Sequence, residues 1–265
     1  MEKKFTLGII GAGNMASAIL GGVLRGGLLR PDKIIVSDRD EAKLAVMAQN
    51  GVEVTTDNTK TASCAEYLMF AVKPQVAGAV FEEIAPVITA GTVISIMAGV
   101  PTAKLRAALG ERNYVRVMPN TPALVGEGMS VIAFGEGGRS QFVADIFASI
   151  GKVAELDESK FDAVTSLSGS GPAYVYMFIE SLIAGGVEGG LDPETAKLLA
   201  VQTVRGSAKM GGLSQKPVSE LIDAVCSKGG TTIQAVDSFR GDGLEEIVKR
   251  GMAKCRKRYE ELADA

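Results

Sequence analysis

The sequence of 265 residues predicts an α/β domain built on a doubly wound parallel sheet, followed by an all-α domain. Three observations carry this. Apolar strand-like runs alternate with helical periodicities up to about residue 157. Several runs, such as Leu68-Met69-Phe70-Ala71-Val72 and Val93-Ile94-Ser95-Ile96, are continuous rather than alternating, as in a parallel sheet covered on both faces. Beyond Asp157 no further apolar strand run occurs, and long helical patterns take over.

The first strand, Phe5–Ile10, runs into Gly11-Ala12-Gly13-Asn14-Met15-Ala16, and helical spacing follows at Ala18, Ile19, Leu20, Val23 and Leu24. Gly11 permits a tight turn, and Gly13 lacks the Cβ that would hold a pyrophosphate off the backbone. Ala16 lets the helix lie close to the sheet, its N-terminus aiming free N–H groups at phosphates. Strand, G-x-G-x-x-A and helix in that order mark a dinucleotide site. Strands follow at Lys33–Ser37, Val52–Val54, Tyr67–Val72, Thr92–Met97 and Tyr114–Met118. Helices at Glu41–Gln49, Gln75–Ile84 and Thr102–Leu109 lie between them, implying right-handed crossovers. A less regular stretch pairs Ser130–Phe134 with Lys152–Ala154 around a helix near Arg139–Ile150.

The second half reads as helices at Phe161–Leu167, Ala173–Gly185, Pro193–Met210, Val218–Val225, Thr232–Phe239 and Leu244–Leu262. Pro172 and Pro193 suit first helical turns, with Ser170 and Asp192 nearby as caps. The boundary is set between a dinucleotide-binding domain, 1–157, and a helical substrate-binding and dimerisation domain, 158–265. Small residues (Ala184-Gly185-Gly186, Gly206-Ser207-Ala208, Gly211-Gly212) lie beside wide apolar faces, which suits pairing with a second copy; close packing within one chain is the alternative.

Bulk properties exclude whole classes. Hydrophobic content of 46%, charged content of 22% and a net charge of −3 describe a soluble globular chain with no call for nucleic acid or a membrane as partner. Met1-Glu2-Lys3-Lys4 leads straight into the first strand without a signal segment, and no apolar run reaches membrane-spanning length, so a cytoplasmic location is expected. There is no histidine, which removes His-assisted hydride transfer, Ser-His-Asp hydrolysis and His-ligated metals. Cys64, Cys226 and Cys255 are widely spaced and suggest neither a metal site nor a disulfide framework. A dehydrogenase without histidine takes its proton from a hydroxyl, lysine, carboxylate or water, or its substrate arrives already protonated.

Further segments fall at strand ends or helix starts, where this fold class places ligands. In Ser37-Asp38-Arg39 the acid suits the ribose hydroxyls of NAD, whereas Ser37 and Arg39 suit the 2′-phosphate of NADP; Asp38 could equally serve the next helix. The balance leans to NADP. Ala71-Val72-Lys73-Pro74 offers Lys73 to cofactor phosphates, Ala98-Gly99-Val100 lies where nicotinamide is expected, and Met118-Pro119-Asn120-Thr121-Pro122 presents Asn120 at the same edge. Each is a turn on the bland reading; their recurrence at one edge favours a cleft. Cys226-Ser227-Lys228-Gly229-Gly230-Thr231-Thr232-Ile233 resembles an anion cradle opening a helix, where a carboxylate gains roughly 0.3–2 kcal/mol from the helix terminus. Plain Ser/Thr capping is the alternative.

The segments GIIGAGNMA, AVKP, MPNTPALVGEG, LSGSGPAY and SKGGTTI, in this order from residue 5 to about 260, resemble the pyrroline-5-carboxylate reductase family. The resemblance implies a Rossmann-like first domain and a helical second domain that interlocks with another subunit, as a homodimer or a larger assembly such as a decamer. It implies hydride transfer from NADPH, or NADH, to the C=N bond of 1-pyrroline-5-carboxylate, giving L-proline in the last step of proline biosynthesis. Carried over residue by residue, cofactor contacts fall on Ile10, Gly11, Ala12, Gly13, Asn14, Met15, Ser37, Asn58, Ala71, Val72, Lys73, Pro74 and Ala98, to which the residue reading adds Arg39 and Asn120. Substrate contacts fall on Glu158, Ser227, Gly230, Thr231 and Thr232, the late group holding the carboxylate and the Thr232 hydroxyl matching the catalytic bond to the imine nitrogen. No metal is implied. Lys228 replaces a family proline, and Gln215 a commonly acidic residue. A β-hydroxyacid reductase fits less well, since Ala173-Tyr174-Val175 follows Gly171-Pro172 and the next lysine is Lys197. A nucleotide sensor would need no GGTT segment.

Overall fold

Apolar β-branched runs flanked by turn residues form the strands, and the amphipathic segments between them form the covering helices. The computed structural model describes residues 4–264. The first half runs β1 (Phe5–Ile10), α1 (Asn14–Arg25), β2 (Ile34–Ser37), α2 (Glu41–Ala48), β3 (Glu53–Thr55), α3 (Asn58–Cys64), β4 (Ala65–Phe70) and α4 (Pro74–Ile84). It continues through β5 (Thr92–Ser95), α5 (Thr102–Leu109), β6 (Asn113–Met118), β7 (Gly128–Phe134), α6 (Gln141–Ala148) and β8 (Gly151–Glu155). The sheet order is β3-β2-β1-β4-β5-β6-β7-β8. Strands β1 to β6 pair in parallel, with Leu7 opposite Ile34 on one side and Tyr67 on the other. The doubly wound reading holds.

The less regular stretch is a β7-α6-β8 unit whose strands are parallel to each other, while β7 runs antiparallel to β6, with Val115 opposite Phe134. Leu7, Ile9, Ile34, Ile94 and Ile132 pack on one sheet face against Ile19, Leu20 and Phe147. Leu68, Phe70 and Val93 pack on the other against Val80, Phe81 and Leu105. Helix α3 escaped the sequence reading because Asn58–Cys64 is short and mostly polar; the Asp57 carboxylate starts it by accepting from the Thr59 and Lys60 N–H groups.

The later helices are α7 (Phe161–Val164), α8 (Gly171–Glu188), α9 (Pro193–Leu213), α10 (Val218–Val225), α11 (Thr231–Gly241) and α12 (Leu244–Asp264). The Phe161–Leu167 helix is shorter than its periodicity predicts: at Thr165 it widens into a π-helical turn, with Ser170 N–H donating to Thr165 O at 2.8 Å. Asp192 caps α9 as expected, accepting from Glu194 and Thr195 N–H. The Ser170 hydroxyl lies instead 3.3 Å from Cys255 Sγ.

The chain packs as two units, one comprising Met1–Ser170 with Cys255–Ala265 and the other Gly171–Lys254. The second has almost no interior: among its residues only Ala196 and Ala200 are buried, while Met177, Leu198 and Leu213 are each about two-thirds exposed or more, at 67%, 69% and 72%. Among the described residues no helix is long and apolar enough to cross a membrane.

Candidate active site

The carboxyl ends of β1, β2 and β4 open onto a cleft of about 440 Å³ lined by Ile10, Gly11, Gly13, Ser37, Arg39, Asn58, Ala71, Val72 and Lys73, nine of the fifteen expected cofactor residues. Gly11 is the tight point. Its φ is +107°, and a Cβ there would lie 2.6 Å from Ala71 O. A Cβ on Gly13 would meet nothing within 4 Å, so that side of the loop is open space. Gly13 starts α1 without a side-chain cap, and no acid stands in the first turn. The Asn14, Met15 and Ala16 amides precede the first intrahelical acceptor pair, Ser17 N–H to Gly13 O, and are free to meet an anion. Loop, open face and uncapped helix fit a dinucleotide pyrophosphate.

At the ribose end the buried Ser37 hydroxyl donates to Asn58 Oδ1 at 2.8 Å, and Asn58 Nδ2 donates to Glu83 Oε2 at 3.0 Å. Glu83 also stands 3.9 Å from Arg39. Glu83 lay outside the expected set; no local motif marks it, because it reaches Asn58 across 25 positions. Asp38 accepts from Ala12 N–H at 2.7 Å and from Asp40 N–H at 2.9 Å, so it braces the glycine loop while Asp40 caps α2. The hydrogen bond between Lys43 and Asp40 holds the Asp40 carboxyl below its usual range and raises Lys43.

The remaining expected cofactor residues stand beside this cleft or at the neighbouring sheet edge. Ala12, Asn14 and Met15 belong to the loop and first turn of α1, Pro74 is the first residue of α4, and Ala98 follows β5. Asn120 uses both ends of its amide in structure, donating to Ser168 O at 3.0 Å and accepting from Met129 N–H at 2.8 Å.

Glu158 sits at a cavity of about 950 Å³. Its Oε1 accepts from Thr102 N–H at 2.9 Å and from Arg116 Nη1 at 2.7 Å, and its Oε2 accepts from the Thr102 hydroxyl. Glu158 thus closes the start of α5, whose own cap position is Pro101. Arg116 is 3% exposed; its Nη2 donates to the Tyr259 hydroxyl at 2.6 Å, and the guanidinium lies against the Phe161 and Tyr259 rings. Burial pushes the Tyr259 phenol up, with Arg116 working against it. Neither Arg116 nor Tyr259 stood out in the sequence, because 42 and 143 positions separate the paired residues.

Ser227, Gly230, Thr231 and Thr232 come together in the second unit. Gly230 N–H donates to Ser227 O at 3.0 Å across a turn whose third residue, Gly229, has φ +73°. Gly230 starts α11 with no side-chain cap and no acid in the first turn, and the Ser227 hydroxyl lies against Gly230 where a Cβ would stand. Thr231 and Thr232 are exposed, so amides and hydroxyls are presented together.

Residues 158–262 match the family described as pyrroline-5-carboxylate reductase dimerisation, and residues 6–99 match the one described as NADP oxidoreductase, coenzyme F420-dependent. Pyrroline-5-carboxylate reductase of Pisum sativum is 37% identical over 99% of this chain and 98% of its own. That of Methanosarcina acetivorans is 39% identical over 97% of each. The crystal structure of Plasmodium falciparum pyrroline carboxylate reductase with NADP bound aligns with a TM-score of 0.88 at 32% identity, covering 99% of this chain and 100% of that one. Reductive aminase from Aspergillus terreus, at 16% identity and a TM-score of 0.60, shares the fold alone. With a glycine loop on β1 and an uncapped GGTT helix start, and with these relatives along nearly its whole length, the chain belongs to the pyrroline-5-carboxylate reductase family.

Proposed function

We propose that this chain reduces the C=N bond of 1-pyrroline-5-carboxylate to L-proline, with NADPH as preferred donor and NADH as the second, in the last step of proline biosynthesis. The observation that carries this is that two of the motif-bearing helices, α1 and α11, begin on glycine with no capping side chain and no first-turn acid. One such terminus suits a dinucleotide pyrophosphate and the other a small carboxylate. When bound, the reduced nicotinamide supplies the hydride.

The chain's own groups supply position. The loop from Ile10 to Met15 and the Ala71–Pro74 turn hold the phosphates, Ser37, Arg39 and Asn58 hold the ribose end, and Ala98 and Asn120 shape the nicotinamide end. Ser227, Gly230 and the Thr231 and Thr232 amides hold the substrate carboxylate, and the Thr232 hydroxyl steadies the ring nitrogen. Glu158 accepts at Oε2 from the Thr102 hydroxyl alone, so a lone pair there is free for an N–H of the substrate. A cyclic imine near neutral pH is partly iminium and accepts hydride without a strong acid. That is how a chain with no histidine can do this chemistry, geometry and charge placement providing the rate.

The functional division follows residues 1–157 and 158–265. The bare apolar faces of the Gly171–Lys254 unit are closed by a second copy, giving a homodimer that can build a decamer, in the cytoplasm. The test is NADPH oxidation with pyrroline carboxylate, for the native chain and Thr232→Ala. The variant is expected to lose about 100-fold in turnover, the low end for a positioned proton partner. Equal turnover in both removes Thr232 from the chemistry, and no oxidation by the native chain ends the proposal.

A further inference from the structure

Around the ribose end of the cleft the named carboxylates, Glu83, Asp40 and Asp38, outnumber the named cations, Arg39 and Lys43. Two cations stand there, each matched: Arg39 by Glu83 at 3.9 Å and Lys43 by Asp40 at 3.1 Å. Asp38 adds a third carboxylate, spent on the Ala12 and Asp40 N–H groups. A 2′-phosphate brings about −1.5 to −2 charges near neutral pH, whereas a 2′-hydroxyl brings none. A carboxylate beside the only cation named for that phosphate therefore weighs on one dinucleotide and not the other. Glu83 also fixes Asn58. With Ser37 donating to Oδ1 and Nδ2 donating to Glu83, the reversed amide would set Oδ1 against a carboxylate.

We propose that Glu83 is a specificity-determining residue for the cofactor: it offsets Arg39 and so narrows the preference for a 2′-phosphorylated dinucleotide, while orienting the Asn58 amide. The inference rests on the cleft being the dinucleotide site. Glu83→Gln keeps an oxygen for Asn58 Nδ2 and removes only the charge. Calorimetric Kd values for NADP⁺ and NAD⁺ are the readout, on the folded full-length chain. In Glu83→Gln the affinity ratio of NADP⁺ over NAD⁺ is expected to rise about two- to five-fold, the contribution of a partly exposed charge pair, and the gain to shrink in high salt. Arg39→Gln lowers the ratio, and adding Glu83→Gln to it recovers part of the loss.

A ratio unmoved or lowered by Glu83→Gln overturns the proposal, as does an equal rise in Glu82→Gln, which changes an exposed neighbour on the same helix. Should Glu83→Gln not fold, the Arg39 variant decides, since an Arg39→Gln ratio equal to that of the native chain also overturns it. A native chain that binds neither dinucleotide removes the cofactor reading itself, a different failure.

Discussion

Arg116→Met isolates the buried ion pair beneath the 950 Å³ cavity. Methionine keeps an unbranched stem among Phe161 and Tyr259 but strips two bonds, to Glu158 at 2.7 Å and to the Tyr259 hydroxyl at 2.6 Å. Removing one partner of a fully buried pair costs about 3–5 kcal/mol, and an orphaned buried hydroxyl about 1 more. The Glu158 side chain is 27% exposed, so water takes over part of the lost interaction. The net expectation is a loss of roughly 2–4 kcal/mol, a large share of the roughly 5–15 kcal/mol typical of folded proteins. Urea unfolding at one fixed protein concentration, followed by circular dichroism, measures it. Arg116→Met with Glu158→Gln should recover about 1 kcal/mol, because no unpaired carboxylate remains. A single-variant loss below about 0.5 kcal/mol, or strict additivity in the double variant, would refute the reasoning.

Other consequences are open to simpler tests. Gly11→Ala forces a Cβ to 2.6 Å from Ala71 O at φ +107°; it should cost about 1–3 kcal/mol and abolish dinucleotide binding, checked by melting with and without NADPH. Lys228 and Gly229 occupy the centre of the Ser227–Gly230 turn, and positive φ at the third residue makes proline favourable at the second. Lys228→Pro should therefore stabilise the chain by about 0.4–1 kcal/mol in the same urea assay. Burial raises the Tyr114 phenol above its ordinary value, so the stability it contributes is complete below about pH 10 and is lost as pH climbs through the folded-state value. Tyr114→Phe should flatten the decline in melting temperature above pH 10, and an unchanged slope would assign that decline elsewhere.

What the sequence disclosed was local and periodic. β1 and α5 fall where their apolar spacing placed them, because each buries a face whose pattern its own residues define. Ser37 and the glycine loop were legible since strand ends in this fold converge on one edge, whereas Asn58, on a helix the periodicity missed, came only through the family resemblance. The antiparallel step between β6 and β7 was not, since strand direction depends on how a connection crosses the sheet rather than on the strand's composition. Glu83 and Arg116 were equally hidden. Each acts on a partner brought near only by the finished sheet, and a lone glutamate or arginine in sequence looks like a solvated charge.

Glu158 complicates any genetics of this enzyme. The same carboxylate that we propose to face the substrate also closes the first turn of α5 through Thr102. An alanine scan scored only by growth or product would credit Glu158 with more chemistry than it performs, because part of the defect would be a frayed helix start. Glutamine, which retains an acceptor for Thr102, is the substitution that separates the two debts.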